Sequence, residues 1–104
     1  MHTLIVYFTL ACQQTPTVMS SEWNDQQKYI EASTLPTTQA LQRCQEIADE
    51  ELLGECVWFV TKANTERNNR LPQPERIRQA FEHCALSPTE GGKTVCRFDA
   101  IDVA

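Results

Sequence analysis

Five cysteines carry most of the chemistry open to this sequence, and their spacing sorts them into two kinds. Cys44 and Cys56 stand twelve positions apart, Cys84 and Cys96 repeat that spacing 40 residues later, and Cys12 stands alone. A thiol can join a disulfide, hold a metal, run redox chemistry or accept a modification. No Cys-x-x-Cys is present, so a thioredoxin-like redox centre is not expected. Zinc sites repeat ligands a few residues apart, whereas only His83-Cys84 are neighbours here and the second histidine is His2. Metal binding and cofactors are therefore not expected, and His83 reads as a surface histidine beside a structural cysteine. Five cysteines in 104 residues point instead to an oxidising compartment, where disulfides supplement a small core. The odd number leaves one for another task.

The charged residues offer less. Glu46, Asp49, Glu50, Glu51 and Glu55 form an acidic cluster, but acid–base chemistry would require burial in a pocket, and a solvated helix start explains them. Arg67, Arg70, Arg76 and Arg78 make a small basic group that reads as charged surface. No nucleophile, base and orienting group can be assembled, so an enzyme is not expected. A net charge of −5 argues against nucleic acid and against electrostatic docking on anionic lipid. With 41% hydrophobic and 22% charged residues, the chain reads as one folded domain.

Helices must position the cysteines. Ser20 or Ser21 is placed to cap a short helix carrying Trp23, Tyr29 and Ile30, with Trp23 expected to pack in the core. Pro36 breaks that helix, and Thr37 or Thr38 is the expected N-cap of the next. Ala40, Leu41, Cys44, Ile47 and Ala48 mark one face of it. Asp49 suits an N-cap, with Glu50 and Glu51 favoured by the helix dipole, and Leu52, Leu53, Cys56, Val57, Val60 and Ala63 continue at helical spacing. Residues 57 to 61 are all β-prone, but the flanking pattern favours helix. Trp58 and Phe59 are neighbours, so only one can lie fully in the core, and the other is a candidate anchor for a partner. Asn64 to Gln73 reads as a polar loop, and Pro74 suits the first turn of a helix striped by Ile77, Ala80, Phe81, Cys84 and Ala85. Ser87 to Gly92 ends that helix. Thr94 to Ala104 reads equally as a short helix or an extended segment. The expected fold class is all-α, a small bundle of about four short helices.

The two halves also align outside their cysteines. Gln39-Ala40-Leu41-x-x-Cys44 matches Gln79-Ala80-Phe81-x-x-Cys84, Glu50 matches Glu90, and Trp58 matches Phe98. Along one helix, residues twelve apart lie well over about 10 Å apart, too far for a disulfide. If the chain reverses near Asp49, however, Cys44 and Cys56 face each other across antiparallel helices. Of the three possible pairings, Cys44–Cys56 and Cys84–Cys96 are therefore favoured, each worth roughly 3 kcal/mol by loop-closure entropy.

Residues 37 to 104 resemble disulfide-stapled αα-hairpin repeats of the tetratricopeptide-like superfamily, a resemblance that implies a binding or scaffold role. A second resemblance is to the twin cysteine-pair helical hairpins of the mitochondrial intermembrane space, which usually cross-connect their pairs. At the other end, the apolar run Leu4 to Ala11 is too short to span a bilayer, which takes about 20 residues as a helix. Followed by Cys12 and then Gln13-Gln14-Thr15-Pro16, it resembles the end of a bacterial lipoprotein signal peptide. That resemblance implies cleavage of residues 1–11, acylation of Cys12, residues 12–21 as a flexible tether, and residues 22–104 as a single helical domain with two Cys-x11-Cys units. It implies two partners, the lipid bilayer through acylated Cys12 and a protein of the cell envelope, with localisation on the periplasmic side. The alternatives are a periplasmic or secreted domain without lipid, an inhibitor or accessory subunit of an enzyme, and, for Leu4 to Phe8, a buried strand.

Overall fold

A computed structural model describes residues 16–104 of the chain, and these residues are all-α. Five helices follow in order: α1 (Pro16–Ala32), α2 (Thr37–Gln45), α3 (Glu50–Arg67), α4 (Gln73–Cys84) and α5 (Glu90–Val103). The suspected signal, His2, the Leu4–Phe8 strand alternative and Cys12 lie outside the described residues.

Helix α1 begins inside the stretch expected to be a tether. Pro16 is its first helical residue, where a missing backbone N–H costs nothing, so residues 16–21 are helical and Ser20 and Ser21 lie within the helix rather than capping it. Trp23 corrects a second expectation, because it is 63% exposed rather than packed in the core. The side of α1 that meets the domain carries Asp25, Tyr29 and Ala32 instead.

Helices α2 and α3 form one antiparallel hairpin, and α4 and α5 form a second. Pro36 occupies the N-cap position of α2 and offers no side-chain hydrogen bond, so the Thr37/Thr38 cap does not form. The Thr37 hydroxyl donates instead to Asn64 Oδ1 at 2.7 Å. Asp49 caps α3 as expected, accepting from the Leu52 N–H at 3.0 Å. The β-prone residues 57–61 are helical, since Cys56, Val60 and Asn64 fall on one buried line and Val57, Thr61 and Thr65 on the next.

The loop expected over 64–73 is shorter than its composition suggests. Helix α3 runs to Arg67 because Asn64 is buried and bonded on both sides: its amide donates to Gln79 Oε1 and its oxygen accepts from Thr37 and Asn68. This small network ties α2, α3 and α4 together. The tail resolves as helix, beginning at Glu90 because the Thr89 hydroxyl accepts from the Gly92 N–H at 3.0 Å.

The core sits between α2 and α3 and extends to the second staple. It is built from Ala32, Leu41, Ile47, Val57, Val60 and the two cystines. Among the described residues its fully buried side chains include nothing larger than valine, threonine or half-cystine, and no aromatic ring. Cys44 is bonded to Cys56 and Cys84 to Cys96, with 5.6 Å between Cα atoms in each pair. Each bridge joins the two helices of one hairpin.

An acid-rimmed groove as candidate functional site

The two corners that the staples hold are made alike. Asp49 and Thr89 cap α3 and α5, Glu50 and Glu90 are the first residues of those helices, and each cystine lies just behind the turn. The first corner has an additional clasp. Asp25, 6% exposed, receives the N–H groups of Ala48 and Asp49 on its two carboxylate oxygens at 3.0 and 3.1 Å. Lys28 donates to the Glu46 carbonyl at 2.9 Å, and Arg43 bridges Glu31 and Glu46. The clasp fixes α1 against the first hairpin and so sets one wall of a hollow.

That hollow, of about 390 Å³, lies between α1 and the start of α3 and is walled by Glu22, Gln26, Asp49, Glu51, Leu52 and Glu55. A second hollow of about 320 Å³ lies on the other side of α3, against the start of α5. Gly54, Trp58, Gly91, Gly92 and Val95 make its largely apolar wall, and Glu50, Glu51 and Glu55 its rim. Glu51 and Glu55 border both hollows, so these two carboxylates stand between them on the first two turns of α3 and make an acidic edge for each. Gly91, on its border, leaves its backbone open: a Cβ there would meet no atom within 4 Å.

The acidic cluster read from the sequence divides by role. Asp49 is spent on the N-cap and Glu46 on Arg43, whereas Glu50, Glu51 and Glu55 face the groove. None of these three, nor Glu22, is in an ion pair among the described residues. The basic group is not assembled into one site. Arg78 is held by Glu75 and Glu82, and Arg76 donates to the Ala104 carbonyl. Arg67 and Arg70 stand exposed at the end of α3.

Of the neighbouring aromatics, Trp58 is half-buried and Phe59 is 39% exposed. The Trp58 indole N–H donates to Asp99, and Lys62 lies 5.3 Å from its ring centre, which holds the indole in one orientation. Phe59 meets the ring of Tyr29 at 6.1 Å. Burial, and after it the Glu55 carboxylate, raises the Tyr29 phenol above its ordinary value. His83 is half-buried rather than on the surface; burial lowers its pKa, and its Nδ1 is buried without a partner.

No known protein family, curated protein or solved structure matches the chain. The groove must therefore be understood from its own residues. Among the described residues no three His, Cys, Asp or Glu side chains are placed to share a metal ion, and no helix is long and apolar enough to cross a membrane. An apolar hollow with a carboxylate rim is suited to recognition of a ligand that is itself apolar and cationic. Nothing in the local sequence marks Asp25, Asp99 or Gly91 as part of the site. Asp25 and Asp99 bond to residues 23 to 41 positions away, and Gly91 reads as a helix breaker until its place on α5 is known.

Proposed function

We propose that this chain is a bacterial envelope protein tethered through acylated Cys12, whose stapled helical domain binds another protein of the envelope. The observation that carries the binding role is the distribution of aromatic residues: Trp23 and Phe98 are 63% and 66% exposed, while among the described residues no ring is fully buried and only Tyr29 and Trp58 pack against the core. Large apolar side chains left on a surface are the usual material of partner contacts. Two cystines support an oxidising compartment. Lipidation of Cys12 accounts for the fifth cysteine.

Mass spectrometry of the protein purified from a membrane fraction tests the anchor. Expected is a mature chain starting at Cys12 with diacyl or triacyl mass; an intact Met1 or an unmodified Cys12 contradicts it. A soluble periplasmic product cleaved elsewhere would favour the reading without lipid. Cross-linking in cells, followed by identification of the joined protein, tests the partner. Retention of a single envelope protein that Trp23→Ala or Phe98→Ala weakens is expected. Activity in a broad hydrolase screen, lost on carboxylate substitution, would instead revive an enzymatic role.

A further inference from the structure

We propose that the groove across the start of α3 is the docking site for an extended cationic segment of the partner, one in which Lys or Arg flanks an apolar side chain. This rests on the protein-binding reading above and names the chemistry of the partner. The apolar side chain enters the hollow between α3 and α5, against Trp58, Val95 and the open backbone at Gly91. The flanking cations meet Glu51 and Glu55, which border both hollows, with Glu22 and Glu50 further along the rim.

Three observations select this occupant. The hollow is apolar at its wall, so a purely hydrophilic ligand would leave that wall wet. The four rim glutamates have no ionic partner among the described residues, whereas Arg43, Arg78 and Lys93 are each already paired elsewhere. No Lys or Arg lines either hollow, and the nearest cation, Lys62, lies against the Trp58 ring, so an acidic peptide or a nucleic acid would meet chiefly like charge. Trp58 adds a fixed aromatic surface, because its indole is held by Asp99 and Lys62 rather than free to swing into the hollow.

The full chain with Trp23→Phe leaves Trp58 as the single indole, which reports on the groove directly. The probe is a capped peptide, Lys-Leu-Lys-Leu-Lys, followed by Trp58 emission and titration calorimetry. Expected is saturable binding that weakens as salt rises, with no binding of Glu-Leu-Glu-Leu-Glu and weaker binding of Lys-Ser-Lys-Ser-Lys. Glu51→Gln with Glu55→Gln should weaken it about fivefold, while Glu66→Gln with Asp102→Asn, which removes equal charge elsewhere, should change it less than about twofold. Gly91→Leu should abolish binding with an unchanged circular dichroism spectrum, since a side chain there fills the hollow without meeting the fold.

Equal binding of the acidic peptide, or unaltered affinity in both the Gly91→Leu and the double-glutamine proteins, would overturn the proposal. So would self-association abolished by Arg67→Gln with Arg70→Gln, because the occupant would then be the exposed loop of a second copy. A cellular partner retained equally by the groove variants would leave the binding role standing and place it on another face. Absence of any partner would remove the binding role while the peptide assay still decides the groove.

Discussion

Hairpin 37–67 and hairpin 73–103 start from the same residues in the same register, with Ala40 and Ala80 equally buried and a cystine behind each corner. Their interiors then part. Around its staple the first hairpin buries Leu41, Ile47, Val57 and Val60. At the matching places the second has Phe81 and Phe98's neighbour Arg97 partly in solvent, Ser87 buried, and only Ala100 packed. Among the described residues the first hairpin is covered by α1 on one side and by α4 and α5 on the other, whereas the second has its main helical cover from α3. The same corner can thus close a packed interior or stand largely on its disulfide.

The largest expected effect follows from that contrast. Replacing both Cys84 and Cys96 by Ala should cost about 3 kcal/mol in urea unfolding and broaden the transition, because within the second hairpin only small side chains, Ala80 and Ala100, are buried beside the cystine. Replacing both Cys44 and Cys56 should cost a similar amount but keep a single sharp transition, since the first hairpin retains its aliphatic core.

The corner clasp separates the hairpins further. Asp25→Ala removes two charge-assisted hydrogen bonds and should cost about 2–3 kcal/mol in thermal or urea unfolding, with Asp25→Asn losing about half of that. The second corner cannot be clasped in the same way, because Pro88 stands where Ala48 stands and has no N–H to donate. Next in size, Val57→Ala should cost about 2 kcal/mol, while Arg97→Ala at the matching place should cost about 0.5 kcal/mol or less.

Ser87 takes the place of Ile47, and its buried hydroxyl has no partner. Two glycines leave room for that hydroxyl: a Cβ on Gly92 would lie 2.5 Å from it, and one on Gly54 3.3 Å. Ser87→Ala should therefore raise stability by about 0.5–1 kcal/mol, measured by the urea midpoint, since it removes an unpaired polar group without adding volume.

The smallest effect concerns pH. Burial holds His83 below the ordinary 6.5 of the unfolded chain, although Glu82 opposes this. The unfolded state then binds a proton that the folded state resists, so the contribution of neutral His83 is complete above about pH 6.5 and is lost as pH falls below it. The urea midpoint should therefore hold steady above about pH 7 and drop as the pH falls through about 6.5 and below. His83→Gln should flatten that part of the curve; an unchanged slope in the variant would assign the loss to other groups.

Sequence patterns disclosed the features set by local spacing. Helical phase carried the four paired cysteines and the Asp49 cap, and it favoured helix over strand for residues 57–61, because each rests on neighbours within two turns. Pairing across the fold was much less legible. Trp23 is apolar, but nothing local says that Asp25, two residues on, points at the corner while Trp23 does not. Asn64 and Gln79 read as loop and surface residues until α2, α3 and α4 bring them together. Half of the groove was legible as an acidic cluster. The apolar half is hidden because Gly91 and Gly92 signal a break in sequence, whereas in the structure both lie on α5 beside Trp58 and Val95.

The dependence of the second hairpin on its cystine is tested most directly by hydrogen exchange read by mass spectrometry, comparing the native protein with the Cys84→Ala, Cys96→Ala variant. Expected is a loss of protection concentrated in residues 73–103, with 37–67 retaining most of its own. Equal loss in both hairpins, or full protection of α5 without the bridge, would contradict the account.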